Sequence, residues 1–210
     1  MLNMWLALQF FLTKSTAIIF LLEFTLVLTS NDGRIKVWRR AGERFADCCT
    51  DRVTSFNGGS VMVRGGISLR GKTNLVIIEG NLNALRYRDE ILDPVAIPYL
   101  RNLGPNAILQ DDNARPHRAR IITEYLQNLG VERMEWPAMS PDLNPIEHLW
   151  DQLGRAVYAR VTHGTTLADL KQMLVEEWDA MPQQNVAKLV SSMRRRCHAV
   201  ASVFGNTTRY

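Results

Sequence analysis

Apolar residues crowd positions 17–28, where Ala17-Ile18-Ile19-Phe20-Leu21-Leu22 and Phe24-Thr25-Leu26-Val27-Leu28 are separated only by Glu23. Rich in β-branched and aromatic side chains, the run predicts a buried strand. Asn31-Asp32-Gly33 is a hairpin turn signal. It leads into Arg34-Ile35-Lys36-Val37-Trp38-Arg39, whose alternation predicts a strand with one wet, basic face. A polar loop is expected over 40–57. Ser60-Val61-Met62-Val63-Arg64-Gly65-Gly66-Ile67-Ser68 then reads as a strand broken by paired glycines, and Thr73 to Ile78 as the strand after it. The first third is an antiparallel meander.

Helical spacing takes over after Asn81. Asn83 is placed to cap a helix over 84–92, with Pro94 breaking or restarting it and a second piece running over about 94–102. Ala107-Ile108-Leu109-Gln110 is a short strand. Ile121, Ile122, Tyr125, Leu126 and Leu129 line one side of a helix over 117–129, stopped by Gly130. Val131 to Trp136 is again a strand, Pro137 to Pro145 a loop, and helices follow over 145–159, about 167–180 and about 185–200. Strands first, then strand–helix–strand–helix, predict an α/β fold with one mixed sheet. Ligands in such sheets sit beyond the carboxyl ends of strands, where Asp111 and Asp112 lie.

Composition narrows the class without naming it. The 210 residues are 46% hydrophobic and 22% charged, which is ordinary for a globular chain. A net charge of +4 says less than its distribution. Residues 34–44 hold Arg34, Lys36, Arg39, Arg40 and Arg44 against Glu43, and Arg194-Arg195-Arg196 lies near the end. Residues 111–147 hold seven acids and four bases. An acidic centre between basic flanks suits a metal site beside a polyanion track, and equally a scatter of solvated charge. Three cysteines, Cys48, Cys49 and Cys197, imply neither a disulfide framework nor zinc spacing. No uncharged apolar run near the N-terminus reaches the roughly 18 residues of a spanning helix, and no basic segment precedes the first apolar stretch as in a signal peptide. No membrane partner is expected.

Two carboxylates stand out, and each has a plain alternative. Asp112 follows a strand and precedes a helix, where Asp often stabilises a turn or cap. Glu147 follows Asn144 and Pro145 as the third helical residue, a variant capping box. Neither is persuasive alone.

Their joint context is more specific. Gln110-Asp111-Asp112-Asn113-Ala114-Arg115-Pro116-His117 is followed by Ser140-Pro141-Asp142-Leu143-Asn144-Pro145-Ile146-Glu147-His148-Leu149-Trp150, with the 34 residues 113–146 between Asp112 and Glu147. This closely resembles the catalytic domain of Tc1/mariner-type transposases, in the Tc1-like branch. Asn31 to Arg40, Gly58 to Val63, Gly65-Gly66-Ile67-Ser68 and the Arg194-Arg195-Arg196-Cys197 region extend the likeness over about residues 28–210.

The resemblance implies a ribonuclease-H-like mixed sheet flanked by helices. It also implies three carboxylates holding two Mg²⁺ or Mn²⁺ ions for metal-dependent DNA cleavage and strand transfer. Asp112 matches the second carboxylate and Glu147 the third. Transposon ends and target DNA are the implied partners and the nucleus the implied location; dimerisation is left open. Arg34, Lys36, Arg39, Arg40, Arg115, His117, Arg194, Arg195 and Arg196 are the candidate DNA-facing groups. The expected division is an apolar extension over 1–22 and a catalytic domain over 23–210.

The first family carboxylate should fall near Leu22, where the chain reads Leu22-Glu23-Phe24. Glu23 is the only nearby acid, and a one-residue offset turns a strand side chain to the other face. Arg64 also stands where the family has Trp. Three readings follow: an impaired transposase domain, an active nuclease using Glu23 as the first ligand, or a noncatalytic domesticated module that binds DNA or another protein.

Overall fold

A computed structural model describes residues 17–28, 59–136, 140, 143–162 and 164–202. The predicted hairpin at Asn31-Asp32-Gly33, the basic strand after it and the loop to residue 57 lie outside the described residues. Among the described residues six strands form one sheet: β1 (Ile18–Val27), β2 (Ser60–Ser68), β3 (Gly71–Lys72), β4 (Val76–Ile78), β5 (Ile108–Gln110) and β6 (Glu132–Arg133). The order is β3-β2-β1-β5-β6, with β4 also paired to β2. β1 runs antiparallel to β2 and parallel to β5, so the sheet is mixed as expected.

Alternation along β1 sorts its side chains between two layers. Ile18, Phe20, Leu22 and Leu26 pack with Ile146, Leu149, Trp150 and Leu153. Ile19 and Leu21 pack on the opposite face with Tyr87, Ile91, Leu109 and Ile122. The first layer is covered by α5 (Pro145–Tyr158), α6 (Leu167–Ala180), α7 (Gln183–Ser191) and α8 (Met193–Ser202). The second is covered by α1 (Ala84–Arg86), a π-helical segment (Tyr87–Ala96), α2 (Ile97–Leu103), α3 (Arg115–Arg118) and α4 (Arg120–Asn128). β1 starts five residues ahead of the domain boundary expected at 22/23, and Ile18 to Leu22 are core.

Several local expectations change. The paired glycines do not break β2, which runs unbroken through Gly65 and Gly66. They make room instead: a Cβ on Gly65 would lie 2.9 Å from the Trp178 ring, and one on Gly66 2.8 Å from Ile19. Trp178 can therefore stack on Trp150 at 5.0 Å between centroids, and Trp150 on Phe24 at 5.4 Å. Pro94 does not break its helix, because it sits inside the wider π-helical turn. The helix expected over 117–129 divides at Ala119, whose extended ψ of 142° lies between α3 and α4. The last predicted helix divides at Ser192. Lys72 caps α6, its ammonium donating to the carbonyls of Trp178, Asp179 (3.0 Å) and Met181 (2.9 Å).

Candidate metal centre

The adjacent aspartates do different work. Asp111 is fully buried; its Oδ1 accepts from Arg133 Nε at 2.8 Å, and its Oδ2 from Arg133 Nη2 at 2.8 Å and Tyr87 Oη at 2.9 Å. That forked pairing leaves it committed to the fold. Asp112, the next residue, is only half-buried. Its Oδ1 accepts from the Ala114 backbone N–H at 2.9 Å and pairs with His117 Nδ1 at 2.5 Å. The turn role anticipated for Asp112 is thus present, alongside a side-chain partner that a turn does not need.

His117 is fully buried. Arg64 Nη1 lies 2.7 Å from its Nε2. A guanidinium only donates, so Nε2 accepts, the ring is neutral and its proton sits on Nδ1, donated to Asp112. Arg64 is itself buried, its Nη1 3.4 Å from Glu23 Oε2 and its Cζ 4.5 Å from the Tyr87 ring centroid. Its Nε and Nη2 are buried with no hydrogen-bond partner. Burial alone would push the Asp112 carboxyl up; His117, the Ala114 amide and Arg64 together hold it at about 2.

Glu147 lies in the first turn of α5. The capping-box alternative fails: Asn144 is the N-cap, but no side-chain cap bond forms, and its buried Oδ1 has no partner. The Glu147 carboxyl is raised by burial and by the negative charge of Asp112. Among the described residues no cation pairs with it.

The strand register points Leu22 toward Asp112. Phe20 pairs with Gln110, so two residues on, past the last pair, Leu22 matches Asp112. Tyr158 Oη donates to the Val27 carbonyl at 2.9 Å, and Gly154 faces Phe24 and Leu26, so α5 climbs alongside β1. Leu22 is buried in the layer that α5 covers. Glu23 turns to the other face, where one ligand atom each from Glu23, Asp112 and His117 lie within 4.8 Å of one another.

The donors therefore fit a divalent ion in part. Asp112 and Glu147 offer hard oxygens of like charge, the donor type that Mg²⁺ and Mn²⁺ take. On the Glu23 side a guanidinium already stands among the donors.

The candidate DNA-facing residues divide as well. Arg115, Arg194 and Arg195 are exposed. His117 and Arg196 are corrections: His117 is enclosed by Asp112 and Arg64, and Arg196 is buried with its Nε donating to Ser192 Oγ at 2.9 Å. Arg34, Lys36, Arg39 and Arg40 lie outside the described residues. Arg64, Tyr87 and Arg133 are the site-forming residues that the sequence did not single out as such. The available signal was Arg64 itself, a lone charge inside the apolar run of β2. Among the described residues no helix is long and apolar enough to cross a membrane.

A family model described as DDE superfamily endonuclease matches residues 26–168. The transposable element Tc1 transposase of Caenorhabditis elegans is 34% identical over 186 residues, 87% of this chain and 66% of that protein. The Tc3 transposase of the same organism is 34% identical over 157 residues, 74% of this chain and 47% of that protein. The chain thus spans less than two thirds, and in one case under half, of these curated relatives. A mariner Mos1 paired-end complex with Mg aligns at a TM-score of 0.77 and 21% identity, over 99% of this chain and 61% of that one. The Mos1 catalytic domain alone aligns at 0.74 and 16%, over 99% and 93%. At these identities the structural likeness establishes the fold, which is ribonuclease-H-like.

Proposed function

The chain belongs to the DDE endonuclease superfamily, as a Tc1/mariner transposase domain, and on that premise we propose that it is a DNA-binding transposase domain whose strand-cleaving chemistry is impaired. The reading rests on Leu22: the β1–β5 register, continued two residues past the Phe20–Gln110 pair, brings a buried apolar side chain opposite Asp112. The family match itself begins four residues later, at 26.

Asp112 and Glu147 are the residues that would hold Mg²⁺ or Mn²⁺. Such an ion, when bound, polarises the phosphoryl oxygen and activates the attacking hydroxyl. The chain's own contribution is positional. His117 and the Ala114 amide fix one oxygen of Asp112, which orients the other, and the Trp150 stack anchors the helix carrying Glu147. Arg115, Arg194 and Arg195 are exposed cations suited to phosphate contacts. Transposon ends and target DNA, in the nucleus, are the partners this reading assigns.

The test is Mg²⁺- or Mn²⁺-dependent nicking of supercoiled plasmid. The chain should not exceed the Asp112→Ala background, and Leu22→Asp should gain nicking. Nicking by the unchanged chain that Asp112→Ala abolishes would refute the impairment. The loss of one carboxylate also supports a noncatalytic DNA-binding module. On that reading Leu22→Asp gains nothing, while DNA affinity still falls steeply with salt.

A further inference from the structure

The Arg64 guanidinium is placed as a metal ion would be. Glu23, Asp112 and His117 bring one ligand atom each to within 4.8 Å of one another, a carboxylate–carboxylate–imidazole set. Arg64 Nη1 meets two of these groups, at 3.4 Å from Glu23 Oε2 and 2.7 Å from His117 Nε2. The guanidinium arrives from the neighbouring strand directly across from its carboxylate, since Glu23 and Arg64 are register partners in β1 and β2. Its burial is complete, and two of its three nitrogens have no hydrogen-bond partner. A buried guanidinium with so few bonds is held chiefly by the negative charge around it and by the Tyr87 face.

The two faces of β1 therefore differ. Toward α5, Glu147 lies in the first helical turn, feels the negative charge of Asp112, and has no cation paired to it among the described residues. On the other face, the acid already has a permanent cation, because arginine does not lose its charge in proteins.

We propose that Arg64 is an internal substitute for a second metal ion, so that the chain binds one divalent cation, through Asp112 and Glu147, and Glu23 takes no part in holding it. The proposal rests on the reading of Asp112 and Glu147 as the remaining metal ligands. It leads to a specific conversion. Removing the guanidinium while keeping its bulk frees the imidazole and the Glu23 carboxylate together and opens a second site of mixed nitrogen and oxygen donors, which suits Mn²⁺.

The experiment is titration of the full chain with Mn²⁺, reading free ion by electron paramagnetic resonance. The unchanged chain binds one equivalent. Glu147→Gln weakens that site at least tenfold, and Glu23→Gln leaves it within twofold. Arg64→Met binds a second equivalent, which the added Glu23→Gln substitution removes.

Two equivalents or none in the unchanged chain, a tenfold loss on Glu23→Gln, or a folded Arg64→Met protein that still binds one ion would each overturn the proposal. If Arg64→Met does not fold, the Glu23→Gln titration decides alone, because it asks whether Glu23 is already taken. Metal stoichiometry is read without DNA, so cleavage by the unchanged chain would overturn the impaired-transposase reading and leave this result standing.

Discussion

His117 Nδ1 donates to Asp112 Oδ1 at 2.5 Å, while the other ring nitrogen accepts from Arg64 at 2.7 Å. One neutral imidazole thus couples a buried cation to the half-exposed carboxylate that the family likeness marks as a metal ligand. Against burial, His117, the Ala114 amide and the charge of Arg64 keep Asp112 ionised to low pH.

The first prediction concerns acid stability. The Asp112 carboxyl is lowered from its ordinary 3.8 to about 2, His117 and the Ala114 amide outweighing burial. A carboxyl depressed in the folded state contributes stability above its unfolded value and loses it as pH falls through the folded one. That contribution should therefore disappear between about pH 4 and about pH 2. Urea unfolding across this range should show a steeper loss for the unchanged chain than for Asp112→Asn. Parallel curves would show that the hydrogen bonds do not hold the carboxylate as described.

Glu147 carries the opposite sign. Burial and the neighbouring Asp112 charge raise its carboxyl above the ordinary 4.5. The ionised form is thus disfavoured in the folded chain, and the group costs stability at neutral pH. As pH falls through the raised value toward the unfolded one, that cost is relieved. In chelator at pH 7, Glu147→Gln should melt at a higher temperature than the unchanged chain, with the gap closing by about pH 4. A lower melting temperature at pH 7 would mean that Glu147 has a stabilising partner.

Leu22→Asp should cost stability before it adds any chemistry. A core Leu is lost and a carboxylate takes its buried place, a change worth about 2–5 kcal/mol. Millimolar Mg²⁺ or Mn²⁺ should recover part of that loss in the variant and far less in the unchanged chain, because the variant gains a ligand. Thermal melts with and without the ion measure the difference. Equal shifts in both proteins would place residue 22 away from the metal.

Gly65 tests the packing beneath the site. A methyl there would stand 2.9 Å from the Trp178 ring, which also donates its Nε1–H to the Thr73 carbonyl at 2.8 Å. Gly65→Ala should destabilise by about 1–3 kcal/mol through overpacking. Gly80 has nothing near its missing Cβ but a φ of +68°, so Gly80→Ala is strained for a backbone reason and serves as a contrast. Chemical denaturation of the two variants, with near-ultraviolet dichroism for the tryptophans, separates the causes. A tryptophan signal unchanged in Gly65→Ala would refute the close approach.

The strand over 17–28 and the helices over 145–159 and 167–180 were readable because long stretches carry one unbroken hydrophobic period. Their observed counterparts are Ile18–Val27, Pro145–Tyr158 and Leu167–Ala180. A break that depends on a single backbone angle was not, as at Ala119, which is neither proline nor glycine. Within the site, spacing and flanking motifs singled out Asp112 and Glu147, and Glu23 comes within 4.8 Å of Asp112, the proximity that the reading of Glu23 as first ligand requires. Spacing could not anticipate what else Glu23 would meet there. The Arg64 contact depends on the pairing of two strands 41 residues apart, and such register is set by the folded sheet. The same limit hid the burial of His117 and Arg196: a basic side chain in a polar segment reads as surface until its neighbours are known.

Asp111 carries a consequence for how such a chain changes over time. Its carboxylate joins Arg133 at the end of β6 to Tyr87 at the head of the π-helical segment, and this fastens the backbone on which Asp112 stands. No metal takes part in that fastening. Selection for a folded chain alone is therefore enough to preserve the placement of Asp112, whether or not cleavage is retained. On the reading proposed above, a copy without activity keeps the footing of Asp112, and residue 22 is the position where an acid would be restored.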